Sequence, residues 1–436
     1  MSTATIQENN SSNKKSKYFI GFFICFYAVC CLLSINRHSK AEIYTYHSEI
    51  WADKAEYYIY LPSLFIYDFK AEKLPPQIGE KTGNGVRVDS AKNKIFTKVT
   101  YGVALMQVPF FMIVNFLAKP LGYTPDGFSF IYNKMIDFAG VFYADLAFIF
   151  LFLFLVRYVS KRTAIIALSS LFLGTNLFYY SIFDTGMSHV YSFFLFSVFL
   201  YLSGLMFKPG QRGFMNIVFG LIIGLIIIVR PINIIFLPVF FMFNQPDWKN
   251  VKSLIKPIVI IGFSAGILII PQLVYWKYLS GHLFMYSYPN EGFNFLTPHM
   301  LSLWLSTNNG LFPYSPLVLF ILAGLICMRK TYSRWSLFFA IYFILISYIF
   351  SSWWVWSYGC GYGSRPYVDF YTLFSLPFCF CIEYIMKTKL RLYVLGSLFL
   401  FCIAWNLKLI FSYDGCWYGG NWDWQEFGKF LLSPTK

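Results

Sequence analysis

EIWADKAEYYIYLPSLFIYD, residues 49–68, follows the first long apolar run and gathers carboxylates and tyrosines beside it. If 49–61 is helical, steps of four and then three or four stack Glu49, Asp53 and Glu56 or Tyr57 on one face. Pro62 ends such a helix. Trp51, Ala55 and Tyr58 fall on a second stripe, so the element rests an aromatic face on lipid or on other helices while presenting an acidic ridge. The plainer alternative is an interfacial helix with a solvated acidic face. What surrounds the stretch decides between the two.

The chain of 436 residues is 57% hydrophobic, 22% aromatic and only 13% charged, which excludes a water-soluble domain with a polar exterior. It reads as an all-α polytopic membrane protein. The net charge of +15 does not mark a nucleic-acid binder, because the bases are scattered through short loops between apolar runs. Residues 1–17 read as a disordered cytoplasmic tail carrying Lys14, Lys15 and Lys17. Residues 18–35 form the first transmembrane helix, a retained signal-anchor with no small-residue cleavage site.

Further apolar runs cover 100–118, 136–156, 163–182, 189–207, 214–229, 232–243, 257–276, 311–328, 335–352, 366–386 and 392–411. Basic clusters follow every second run after the first of these: Arg157, Lys161 and Arg162; Lys208 and Arg212; Lys249, Lys252 and Lys256; Arg329, Lys330 and Arg334; Lys387, Lys389 and Arg391. The positive-inside rule makes these loops cytoplasmic. With a cytoplasmic N-terminus the alternation holds only if 100–118 does not cross, which gives about 11 transmembrane helices. The scheme leaves a long external loop at 36–135, a multispan domain at 136–411 and an external C-terminal tail at 412–436.

Chemistry is therefore expected outside. No Walker loop, dinucleotide fingerprint or paired CxxC is present, so the donor of any reaction is expected to reside in the membrane. Several residues resemble the C-type (GT-C) glycosyltransferase superfamily, membrane enzymes that transfer sugars from polyprenyl-phosphate carriers, such as aminoarabinose and protein mannosyl transferases. Asp53 in ADKAEYYIYLP looks like the catalytic aspartate of the acidic juxtamembrane helix in the first external loop. Asp184 in FDTGMSHVYSF takes the place of a second external acid. LIIIVRPINIIFLP, NNGLFPYSPLVL and YGCGYGSRPYVDFY look like stretches of uncharacterised bacterial members. The resemblance implies a GT-C-like fold, a polyprenyl-phosphate-sugar donor, a lipid, glycan or protein acceptor of the envelope, and a bacterial inner membrane with the active site on the periplasmic face.

The chemistry of sugar transfer asks for the same residue types. A base must take the acceptor proton, and the departing phosphate needs positive charge. Asp53 is the expected base. Arg365, beside Gly361 and Gly363, is the expected phosphate ligand, with Lys277 or Arg230 adding charge. Each cation has a plain twin, a span-end base that reaches the headgroups. Glu49, Glu56, Tyr57, Tyr58 and His189 are the expected substrate contacts. Asp184, Ser188 and His189 sit too close together in one turn for a hydrolase triad. A metal held by Asp53, Asp184 and a histidine is compatible with the residues, but no ligand spacing compels it.

Two other functions remain open on the sequence. Asp137 and Asp145 lie about two turns apart in or beside an apolar run, as in a proton-coupled transporter. Polysaccharide polymerases and ligases of envelope biosynthesis are also multispan and basic, although their large external loop is usually late in the chain. Seven cysteines fall in or at spans. Cys360 and Cys416 both fall on the external side, where a disulfide between them is open.

Overall fold

A computed structural model describes residues 21–37, 42–206, 213–244, 251–288, 290–416 and 422–433. The expected tail 1–17 and the bases Lys208, Arg212 and Lys249 lie outside these. The protein is predominantly helical and membrane-embedded in character. Among the described residues, five helices are long and apolar enough to cross a bilayer: Phe130–Leu155, Leu254–Ser280, Ser333–Ser351, Tyr367–Met386 and Lys389–Ser412. Shorter apolar helices accompany them at Gly21–Arg37, Gly102–Ala118, Ser188–Ser203, Phe214–Val229, Pro231–Phe243 and Val318–Met328. A helix of 17 residues rises about 26 Å, less than the roughly 30 Å hydrocarbon core.

Three expected runs are not single straight helices, and one of them, 311–328, divides into Leu311–Tyr314 and Val318–Met328. The run 163–182 divides into Lys161–Gly174 and Leu177–Ile182, with Thr175 extended between them. The Thr175 hydroxyl donates to the Leu171 carbonyl at 2.7 Å and accepts from Leu177 N–H at 3.2 Å, while Asn406 donates to the Leu173 and Thr175 carbonyls. Those side-chain bonds replace the ladder bonds that the break forgoes. The run 232–243 starts as a 3-10 segment, Pro231–Val239, and becomes α-helical only over Phe240–Phe243. Pro238 lacks the N–H that an α-helical ladder needs there.

Close packing of small residues and rings holds the bundle. In Phe214–Val229, Gly220 and Gly224 face Val251–Ser280 so closely that a Cβ on Gly220 would stand 2.5 Å from the Ile261 carbonyl. This four-residue spacing of small residues lets helix backbones meet in lipid. Phe130–Leu155 runs parallel to Ser188–Ser203, with ring pairs Tyr143–Tyr191 (5.4 Å) and Phe150–Tyr201 (5.6 Å).

Gly102–Ala118 lies antiparallel to the first half of Phe130–Leu155. Tyr132 donates to Asn115 at 2.7 Å and Tyr143 to the Met106 carbonyl at 2.6 Å. The second half of the long helix packs elsewhere, through pairs such as Phe154–Phe243. Against Val251–Ser280, whose Tyr275 donates to the Ile95 carbonyl at 3.0 Å, a two-stranded antiparallel ribbon pairs Arg87–Asp89 with Lys94–Phe96, in the register Val88 to Ile95. A purely α-helical reading of the sequence leaves that ribbon out.

Candidate active site

The acidic stretch folds differently from a continuous helix over 49–61. Ile50 N–H is taken by Ser48 Oγ (3.1 Å) and Asn133 Oδ1 (3.2 Å), and Ala52 N–H by the Thr82 carbonyl (2.9 Å). These partners, two of them distant in the chain, replace the helical ladder, and Ala52 stands at φ 48°, ψ −128°. A non-glycine residue there stores about 1–3 kcal/mol of strain. Helix starts at Asp53–Tyr58, breaks at Ile59 and resumes as Tyr60–Phe65. Pro62 therefore does not end the helix: it sits in the first turn of the second piece, where no N–H is required.

The expected acidic ridge is dispersed into three separate environments. Glu49, only 4% exposed, lies before the strained turn and accepts from Lys54 Nζ at 3.2 Å. Glu56, 2% exposed, points the other way and ties the helix to the ribbon. It accepts from the Lys98 backbone N–H (3.1 Å) and pairs with Arg87 (3.5 Å) and Lys98 (3.9 Å), while Thr97 Oγ1 donates to its carbonyl. Asp53 alone faces open space. Tyr58 is 1% exposed, donates to the Gly127 carbonyl at 2.6 Å and packs on Phe111, which removes it from any substrate surface.

That space is a cavity of about 690 Å³. Its wall carries the cations Arg37, Lys54, Lys98 and Arg365, the carboxylates Asp53, Asp184 and Glu291, and rings that include Trp51, Tyr179, Trp353 and Tyr358. Arg365 Nη2 donates to Asp53 Oδ2 at 3.2 Å across 312 residues of chain. Lys54 bridges Glu49 and Asp184, the latter at 3.1 Å. Lys98 also reaches Glu291 at 3.4 Å. Arg37 donates to the Tyr413 carbonyl and stacks 4.3 Å from the Phe183 ring centroid. Cys360 and Cys416, both on the wall, form a disulfide that ties the Arg365 loop to residues following the last long helix.

Charge within this shell is divided unevenly. Asp53 is enclosed by protein, yet 39% of its side chain is reachable from the cavity. Burial raises its carboxyl, but Arg365 and Lys98 outweigh that and hold it below the usual aspartate range. Burial pushes Glu49 up to about 8 in spite of Lys54, and Glu56 up to about 7 in spite of Lys98. Burial opposes the Lys54 charge, but Glu49 and Asp184 override it and hold the ammonium protonated. One ammonium thus serves two carboxyl groups.

The remaining expected residues separate into those near the cavity and those away from it. Tyr57 is buried, and its hydroxyl accepts from Ser188 Oγ at 3.0 Å. Ser188 thus bonds a tyrosine, and His189 Nδ1 instead donates to Asp369 Oδ1 at 2.8 Å. Arg230 does not line the cavity: its Nη1 donates to Asp369 Oδ2 at 2.7 Å and lies 3.3 Å from His189. Lys277 is exposed on Val251–Ser280 and lines no part of the cavity, so the structure gives it no place beside Arg365. Among the described residues, no three His, Cys, Asp or Glu side chains converge as a metal-binding group.

Sequence reasoning passed over Lys54, Lys98, Arg37, Glu291 and Asp369. Asp369 had a local signal, standing one helical turn after Arg365 in SRPYVD. Lys54 also had one, standing next to Asp53 and five residues after Glu49, whereas Arg37, Lys98 and Glu291 join the site through contacts between distant parts of the chain. No protein-family model matches the sequence, and no curated protein matches it.

Proposed function

We propose that the protein is a membrane glycosyltransferase of the GT-C type, moving a sugar from a polyprenyl-phosphate donor to an envelope acceptor at the external face. The observation that carries the reading is the meeting of Asp53 and Arg365, 3.2 Å apart, on the wall of an aromatic-lined cavity beside apolar helices. Asp53 takes the acceptor proton. Arg365 presents a planar fork to the donor phosphate, and rings such as Trp51 and Tyr358 offer faces to a sugar. The same reading puts about eleven spans in a bacterial inner membrane, with the cavity on the periplasmic side. Asp184, paired with Lys54, is the second acid of the site.

A transporter draws support from one feature, Asp145, whose Oδ1 is buried in Phe130–Leu155 without a hydrogen-bond partner among the described residues. Asp137 does not share it: Ser34, Thr185 and Lys134 all donate to its carboxylate, as befits a fixed structural joint. The deciding experiment incubates the purified protein with labelled polyprenyl-phosphate sugars and an envelope extract. Transfer of label to the acceptor fraction, with release of polyprenyl phosphate, is expected. Proton-driven solute uptake into vesicles without transfer would favour the transporter.

A further inference from the structure

Among the cavity cations, Arg365 stands apart in how little of its bonding capacity is used. Lys54 is held by two carboxylates, Lys98 lies within reach of two, and Arg37 is bonded to a carbonyl and stacked on a ring. Arg365 lies 5.9 Å from the Tyr358 ring centroid, and its side chain makes one hydrogen bond among the described residues, from one nitrogen to one oxygen of Asp53. A guanidinium has five N–H donors, so the others are available to an anion in the cavity. Its backbone is anchored: Tyr362 N–H donates to the Tyr180 hydroxyl at 3.0 Å, and the Cys360–Cys416 disulfide fixes the preceding turn. The loop is held, and the long side chain is the part free to re-aim.

We propose that Arg365 is a partner-exchange latch: the donor phosphate takes the guanidinium from Asp53, and only then is Asp53 free to accept the acceptor proton. The inference rests on the glycosyltransferase reading and adds an order to it, donor before acceptor. A carboxylate tied to one guanidinium N–H loses to a phosphate that offers two parallel bonds. In the step that follows, the acceptor oxygen bonds to the anomeric carbon and its proton passes to Asp53. The bond from that carbon to the phosphate oxygen breaks, and polyprenyl phosphate leaves with the electron pair against Arg365. An empty site therefore keeps its base occupied, which guards against activating water or acceptor when no donor is bound.

Other charged and polar groups surround Asp53. Lys98 just after the ribbon, Glu56 one turn along the same helix, His189, and the hydroxyls of Tyr57, Tyr180 and Tyr288 all act on it or feel it. Only Arg365 both touches Asp53 and lies open to the cavity. The test follows the protonation of Asp53 by infrared difference titration, with the band identified by its loss in Asp53→Asn. Adding polyprenyl phosphate in detergent should raise the midpoint by about one unit or more, the effect of withdrawing one adjacent cation. Arg365→Gln should show the raised midpoint without lipid and no further rise with it. Lipid that is retained through gel filtration while the wild-type midpoint stays fixed overturns the latch and leaves the transferase reading standing. Lipid that is not retained at all overturns both.

Discussion

Glu49 and Ala52 show how single residues respond to the fold that Asp53 needs. Burial lifts Glu49 to about 8 against an ordinary value of about 4.3, so between those pH values the folded protein holds a proton that the unfolded chain releases. Stability must therefore fall as pH rises through that window. A thermal midpoint declining from pH 5 to 8 is expected, and Glu49→Gln should flatten the decline, because the amide still accepts from Lys54. An equally steep decline in the variant would refute this assignment. At Ala52, where φ is 48°, glycine removes the Cβ strain. Ala52→Gly should hold or raise thermal stability by up to about 1 kcal/mol, and Ala52→Val should lower it. Differential scanning fluorimetry in detergent distinguishes the two. Asp53 and Arg365 were picked out by residue type and motif, and the structure brings them within 3.2 Å on one cavity wall. The burial of Glu49, Glu56 and Tyr58 was not, because a period of three to four residues reports faces only where a helix continues, and this one is interrupted at Ala52.

At the scale of elements, the joint between the Asp53–Tyr58 helix and the ribbon fixes the orientation of Asp53. Gly85 belongs to that joint: a Cβ there would stand 2.2 Å from the Ala52 carbonyl and 2.8 Å from Ala55 Cβ. Backbone cannot yield as a flexible side-chain tip does. Gly85→Ala is thus expected to cost about 1–3 kcal/mol and to lower activity beyond the loss of folded protein. Unchanged thermal stability in the variant would mean that the joint tolerates displacement. The ribbon had no clear signature in the sequence, since three-residue strands are shorter than the alternation needed to recognise them. Helices such as Phe130–Leu155 and Tyr367–Met386 were legible because long apolar runs need only length and hydropathy. The break at Thr175 depends on Asn406, more than two hundred residues later, and no local pattern announces it.

For the whole molecule, the account requires that the cavity and both ends of Gly102–Ala118 share one side of the membrane. That helix follows only half of Phe130–Leu155, so reporters inserted near Lys81 and near Asp126 should both be external. Opposite sides would reverse the topology. The broad class, a predominantly α-helical membrane protein, was available from composition and hydropathy. Asp53 and Arg365 were named from the sequence, but their direct contact across 312 residues and the presence of Lys98 and Glu291 on the same cavity were not, because no local pattern reports contacts between distant parts of the chain. The central claim is that Asp53 is the base of a sugar transfer. Its most direct test compares wild type with Asp53→Asn in a defined polyprenyl-phosphate-sugar assay, with both proteins monodisperse and their disulfides intact. A loss of about 10²–10⁴ in transfer rate is expected, with donor binding retained. Full activity in Asp53→Asn, alongside abolished activity in Asp184→Asn, would contradict it.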